Sequence, residues 1–225
     1  IDNGGESTRP AAAAVDFQQE LDRVVPVIDV LSRELDIPIS IDTSKPGVMR
    51  AAVAAGAGMI NDVNALNAAG AMEAARDAAV PVCIMHMQGQ PRTMQQAPDY
   101  QDVVSEVRQY LSDRVAACEA AGISRRRIIA DPGFGFGKTL EHNLDLLAAL
   151  GSFRELSVPL LVGLSRKSTI GQITGRPVEE RLAGSLAAAV MAVERGASII
   201  RVHDVAATVD ALKFTLAVME PGNRS

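Results

Sequence analysis

The chain is 225 residues long, 48% hydrophobic and 22% charged, with a formal net charge of -5. That composition supports a sizeable core, excludes disorder, and offers nucleic acid no bulk electrostatic attraction, since no block of like charges forms a basic tail. Cys83 and Cys118 have neither metal nor redox spacing and read as reduced, buried thiols of a cytosolic protein, and no stretch approaches the roughly 20 apolar residues of a membrane span.

In chain order, the sequence opens on a polar cluster, Asp2-Asn3-Gly4-Gly5-Glu6, with no apolar run in front of it. Helical spacing then covers 15–34, and a short Ile-rich run over 37–41 reads as a strand ending in Asp42-Thr43-Ser44. A helix over 48–55 leads to a strand over 59–62 that closes on Asn61-Asp62. The next strand, 81–85, ends in His86-Met87-Gln88. A long helix, 100–121, precedes a strand over 128–131 and the turn Asp131-Pro132-Gly133. A helix over 140–150 and a strand over 160–164 follow, ending in Ser165-Arg166-Lys167-Ser168. The last units are a helix over 179–195, a strand over 199–202 ending in Arg201-Val202-His203-Asp204, and a helix over 206–219. Gly56, Gly122, Gly151 and Gly196 read as helix stops.

Strict β-α alternation argues for a parallel sheet covered by helices, because parallel strands need crossover connections. Polar chemistry follows every strand rather than two or three at a switch point, which favours a closed sheet over an open one. The expected fold is therefore an α/β TIM (β/α)8 barrel, a single domain over 1–225, with its site at the C-terminal ends of the strands. Only seven units can be counted, whereas such barrels run to about 250 residues. The first β/α unit and most of strand 2 are accordingly expected upstream of Ile1, the chain being an incomplete record of a longer enzyme.

Generic motifs fail on inspection. The segment 133–139 lacks the first glycine of a P-loop, 163–167 lacks the second glycine of a nucleophile elbow, and His86, His142 and His203 have no metal spacing. Period-2 geometry is more informative. Ser40 with Asp42, Met59 with Asn61, Cys83 with Met85, Ile129 with Asp131, Gly163 with Ser165, and Arg201 with His203 each share a strand face. If those faces point inward, two carboxylates and an amide can read the donor-acceptor edge of a flat nitrogen heterocycle, while Arg9, Lys167, Arg201 and nearby hydroxyls suit a phosphate.

Seven ordered segments, 4–10 (GGESTRP), 41–46 (IDTSKP), 60–62 (IND), 85–89 (MHMQG), 131–138 (DPGFGFGK), 163–168 (GLSRKS) and 201–204 (RVHD), make the chain resemble the bacterial dihydropteroate synthases along essentially its whole length. The resemblance implies a transferase of folate synthesis that joins p-aminobenzoate to 6-hydroxymethyl-7,8-dihydropterin diphosphate, releasing diphosphate with Mg2+. By the same resemblance Asp42, Asn61, Met85, Asp131, Gly163, Lys167 and Arg201 bind the pterin. Thr8, Arg9, Arg201 and His203 hold the diphosphate, and Thr8, Pro10, Phe136, Ser165 and Lys167 bound the p-aminobenzoate pocket, where sulfonamides compete. Arg9, Lys167, Arg201 and His203 carry the catalytic load, no metal ligand is nominated, and a cytoplasmic homodimer is implied, with 179–195 and 206–219 as its surface. Asn3 and Ala11 depart from the family's usual hydrophobic residue and glycine.

Each residue also has a plainer reading. Asp42 suits a helix N-cap before Pro46, Asp131 a turn, Asn61 a backbone partner, His86 a structural hydrogen bond and Lys138 the solvent. Two other functions share parts of the pattern: a pterin-binding methyltransferase domain, and a pterin-binding module without catalysis.

Overall fold

The computed structural model describes residues 1–7, 13–89, 94 and 98–219. The strands among them are β1 (Asp2–Gly4), β2 (Ser40–Asp42), β3 (Met59–Asp62), β4 (Val82–Met85), β5 (Ile128–Asp131), β6 (Leu161–Val162) and β7 (Ile199–Ile200). The helices are α1 (Phe17–Glu34), α2 (Pro46–Ala54), α3 (Ala71–Ala78), α4 (Val103–Ala120), α5 (Leu140–Ala148), α6 (Ser168–Thr174), α7 (Leu182–Glu194) and α8 (Val205–Met219). Helices thus separate successive strands, and every described strand pair is parallel.

Strands β1 to β5 pair in chain order and β6 pairs with β7, while a parallel bridge from Ala130 to Leu160 joins the two sets. The ends of this order meet: Arg201, just past β7, forms an ion pair with Asp2 on β1. The curled sheet buries two layers. Outside it, Ile41, Ile60, Ile84, Ile128 and Val162 pack under helix stripes such as Val24 and Ile28 of α1 and Val107, Leu111 and Val115 of α4. Inside it, Met59, Cys83, Ile129 and Leu161 form a separate small cluster. Interior plugging by side chains from neighbouring strands is the packing of an α/β barrel, and each fully buried aliphatic adds about 1.5–3 kcal/mol.

Local chemistry sets the helix ends. Asp16 accepts from the Gln19 amide at 2.8 Å and Asp102 from the Val104 and Ser105 amides at 3.1 Å, capping α1 and α4. Thr139 and His142 cap α5 reciprocally, the Thr139 hydroxyl taking the His142 amide and the His142 ring taking the Thr139 amide. That accounts for one histidine without any metal.

Several expected boundaries shift. The strand expected over 37–41 begins only at Ser40, because Pro38 has no N–H for the ladder. The opening cluster, read as a loop, is partly strand: Asp2, Asn3 and Gly4 stand opposite Ser40, Ile41 and Asp42. β6 and β7 are shorter than expected, though the Arg201 amide still donates to the Val162 carbonyl at 2.9 Å. Gly151 falls inside the 3-10 helix Leu150–Leu156 instead of stopping α5. α3 and α6 were not expected; α3 is short and buries only alanines, which leaves no periodic stripe of large residues to read.

Candidate active site

Parallel register gathers the rim. Asp42 stands beside Asn61, and Met85 beside Asp131. Asp2 ties the near side together: it accepts from the Ser40 hydroxyl, from the Asn61 amide at 3.4 Å and from Arg201 Nε at 2.6 Å. A second guanidinium nitrogen of Arg201 lies 3.8 Å from the Asp42 carboxylate. The guanidinium is half-exposed and remains open to a ligand. Gly163 lies beside Arg201: a Cβ there would stand 3.8 Å from the Arg201 Cβ, an ordinary van der Waals contact.

Charge on this rim is costly. Burial, and then the neighbouring Asp2, push the Asp42 carboxyl up to about 7 despite the opposing pull of Arg201. Burial also raises Asp131, against the favourable charge of Lys167 and the Gly133 amide that donates to it at 2.7 Å. Lys167 is driven the other way, down to about 8, by burial, although Asp131 favours its charge. Asp42, Asp131 and Lys167 thus each pay for their own charge, as groups at ligand sites often do, whereas the neighbouring carboxylates favour the charge of Arg201.

Lys167 reaches the loop after β5. Its Nζ donates to the Phe134 carbonyl and sits 4.7 Å from the centre of the half-buried Phe136 ring. The loop packs closely on the end of β4: a Cβ at Gly133, whose φ is +71°, would fall 1.8 Å from the His86 carbonyl oxygen. Ser165 is buried and accepts from the His203 amide at 3.2 Å, with His203 Nδ1 3.0 Å from its hydroxyl. Between Ser165 and Lys167, Arg166 adopts a left-handed backbone with φ of +58°. Its guanidinium binds both oxygens of Asp204, and its amide donates to the Ser185 hydroxyl of α7 at 3.0 Å.

Below the rim, buried Glu20 of α1 accepts from the Thr43 hydroxyl at 2.6 Å and from Lys45, which also binds Glu6. This network anchors the first residues of the loop that follows β1. Thr8, Arg9 and Pro10, expected to serve the diphosphate and the amine, lie outside the described residues.

The structure thus brings Asp42, Asn61, Met85, Asp131, Gly163, Lys167 and Arg201 to one end of the sheet, with Phe136, Ser165 and His203 on adjoining loops. The plainer readings divide. Asp42 is no helix cap, since the N-cap of α2 is Lys45. Asn61 bonds a side chain rather than the backbone, Asp131 does stabilise its turn, and His86 is indeed a buried, hydrogen-bonded residue. Lys138, expected in solvent, is 3% exposed; its amine finds internal acceptors that no sequence pattern reveals. Asp2 and Glu20 escaped notice as site-building residues. Glu20 left a signal, because Glu20, Val24 and Ile28 form one buried stripe at four-residue spacing.

Among the described residues no group of three or more His, Cys, Asp or Glu could hold a metal ion, and no helix is long and apolar enough to cross a membrane. A wall of carboxylates and amide beside Lys167 and the exposed Arg201 can take a flat heterocycle bearing N–H donors together with an attached anion.

Comparison with known proteins agrees with this chemistry. The sequence profile described as pterin binding enzyme matches residues 1–203. The chain is 52% identical over 219 residues to the dihydropteroate synthase of Escherichia coli (strain K12), spanning 97% of this chain and 78% of that protein. It superposes with a TM-score of 0.96 on Yersinia pestis dihydropteroate synthase in a sulfonamide drug complex, at 49% identity over 98% of this chain and 80% of that one. Xanthomonas albilineans dihydropteroate synthase in complex with 7,8-dihydropteroate is similar at a TM-score of 0.89 and 54% identity, covering 97% and 80%.

Proposed function

The chain belongs to the dihydropteroate synthase family of pterin binding enzymes, and on that footing we propose that it is an α/β-barrel transferase of folate biosynthesis. It condenses 6-hydroxymethyl-7,8-dihydropterin diphosphate with p-aminobenzoate to give 7,8-dihydropteroate and diphosphate. One observation carries the reading: Asp42, Asn61 and Asp131 line the same rim as Lys167 and Arg201, so acceptors for a pterin edge adjoin cations for its leaving group.

The residues divide the work. Asp42, Asn61 and Asp131 accept and orient the pterin edge, with Met85 and the Arg201 guanidinium against its ring and Gly163 beside Arg201. Arg201 and His203 hold the diphosphate together with Thr8 and Arg9. Thr8, Pro10, Phe136, Ser165 and Lys167 bound the amine. The pterin methylene loses its C–O bond to diphosphate as the electron-rich ring spreads the developing positive charge, and the neutral aromatic nitrogen forms the new C–N bond and then releases its proton. Stabilising the anion and aiming the amine therefore supply most of the catalysis, and no strong base is needed. Mg2+ usually binds substrate phosphates with few protein ligands. We assign it no protein cage here and read it as travelling with the diphosphate.

Further parts of the proposal are a single domain over 1–225, sulfonamide competition with p-aminobenzoate, a cytoplasmic location and a homodimer. Exposed apolar side chains along α7 and α8, including Met191, Val205, Val209 and Phe214, support the last. Equilibrium dialysis of labelled p-aminobenzoate tests the enzyme reading against a methyltransferase or a pterin-only module. Retention in the presence of dihydropterin and diphosphate, and displacement by a sulfonamide, are expected. Pterin binding without retention of the amine contradicts it.

A further inference from the structure

We propose that Lys138 is a positioning residue for the aromatic amine: its buried ammonium clamps the 133–137 turn and so holds the Phe136 ring and the Phe134 carbonyl against Lys167. This rests on the reading of the site given above. The turn needs a clamp. Gly133, Gly135 and Gly137 all have positive φ, and glycine-rich backbone loses the most freedom on being fixed. The bonds that fix it come largely from outside: the Gly135 amide donates to Asn143 Oδ1 at 2.7 Å, and the Tyr100 hydroxyl donates to the Gly137 carbonyl at 2.9 Å.

Lys138 supplies the centre. Its Nζ lies 2.9 Å from the Gly133 carbonyl, 3.0 Å from that of Phe136, 3.0 Å from His86 Nδ1 and 3.4 Å from the His86 carbonyl. Those four acceptors surround three N–H donors, which fits a charged amine; a neutral amine has only two. Burial works against that charge and brings the amine down to about 7, while Asp131 opposes the shift through space. Facing a charged amine, His86 accepts at Nδ1, and burial together with the nearby Lys138 keeps its imidazole neutral by lowering it to about 3. Edge contact with the Tyr110 ring, 4.9 Å between centroids, fixes the imidazole in turn.

The link to the site is short. Phe136 gives its carbonyl to Lys138 and its ring to Lys167, and Lys167 donates to Phe134. A group that fixes this turn therefore fixes two sides of the amine pocket, while Asp42 and Asn61 hang on other strands.

Lys138→Met removes the donors and keeps an apolar stem of similar length. We expect the KM for p-aminobenzoate to rise about tenfold or more, the KM for the pterin diphosphate to change less than about twofold, and amide hydrogen exchange over 133–137 to quicken. In a Phe136→Ala background the same change is expected to add little, because the effect runs through that ring. An unchanged amine KM, an equal rise for both substrates, or full additivity with Phe136→Ala overturns the proposal. If Lys138→Met does not fold, His86→Leu, which removes one acceptor side chain, carries the same comparisons. A folded wild type that turns over neither substrate overturns the proposed function instead. The exchange rates of the turn then decide the clamp alone, and equal rates with and without Lys138 overturn it.

Discussion

Arg201 Nε donates to the Asp2 carboxylate at 2.6 Å, joining residues 199 positions apart in the chain. The pair closes the rim between the first and last described strands, and it sets the character of the site. Asp2 draws Arg201 toward Asp42 while raising the cost of ionising Asp42. A ligand with N–H donors at one end and negative charge at the other relieves both groups.

Asp42 is expected to trade stability for affinity. Its native carboxyl keeps its proton to about pH 7, against an ordinary value of 3.8, so between those values the native state binds more protons than the unfolded state. Stability attributable to this group therefore falls as pH rises through the window. Asp42→Asn is expected to melt a few degrees higher than wild type at pH 8, with the difference vanishing toward pH 4, and to bind dihydropterin about tenfold or more weakly. Wild-type pterin affinity should rise with pH through about 7 as the carboxylate forms. Melting scans and calorimetry across pH check both, and a less stable Asn variant at pH 8 contradicts the account.

Lys167→Ala is expected to weaken both substrates. The ammonium faces Asp131 on the pterin side and the Phe136 ring on the amine side. Steady-state kinetics should show each KM raised about tenfold. Unchanged values for either substrate remove Lys167 from that half of the site.

Asp204 holds Arg166, whose left-handed backbone separates two residues assigned to the pocket. The pair is partly exposed, so Asp204→Asn is expected to leave stability in urea unfolding nearly unchanged. Mis-set Ser165 and Lys167 should nevertheless lower kcat/KM by about tenfold. A variant with full activity contradicts a positioning role.

Glu20 is fully buried and serves Thr43 and Lys45 together. Glu20→Ala takes the acceptor from the Thr43 hydroxyl and leaves Lys45 to Glu6 alone, and is expected to lose about 1–3 kcal/mol. Chemical denaturation checks this, with Glu20→Gln expected to lose less. A loss under about 1 kcal/mol would show the network to be incidental.

Much of this architecture is legible before any coordinates, because alternation of short Ile- and Val-rich runs with helical stripes is a physical signature of crossovers. The rim residues could be sorted by period-2 spacing alone: Asp42, Asn61 and Asp131 fall on inward faces at strand ends, where they are found. What stayed hidden depends on contacts distant in sequence. Asp2 acts through Arg201, and its three-residue strand carries no pattern of its own. Lys138 contradicts the ordinary expectation for lysine because three carbonyls and His86 from two loops converge on it. Strand lengths were overstated wherever proline or the curl of the sheet interrupts the ladder, as at Pro38.

The most direct test of the central claim is product formation. The chain is incubated with both substrates and Mg2+, and products are identified by mass spectrometry. The account predicts 7,8-dihydropteroate and diphosphate in equal amounts, dependent on both substrates and formed more slowly by Lys167→Ala at subsaturating substrate. Folded protein that binds the pterin yet makes no dihydropteroate would contradict it.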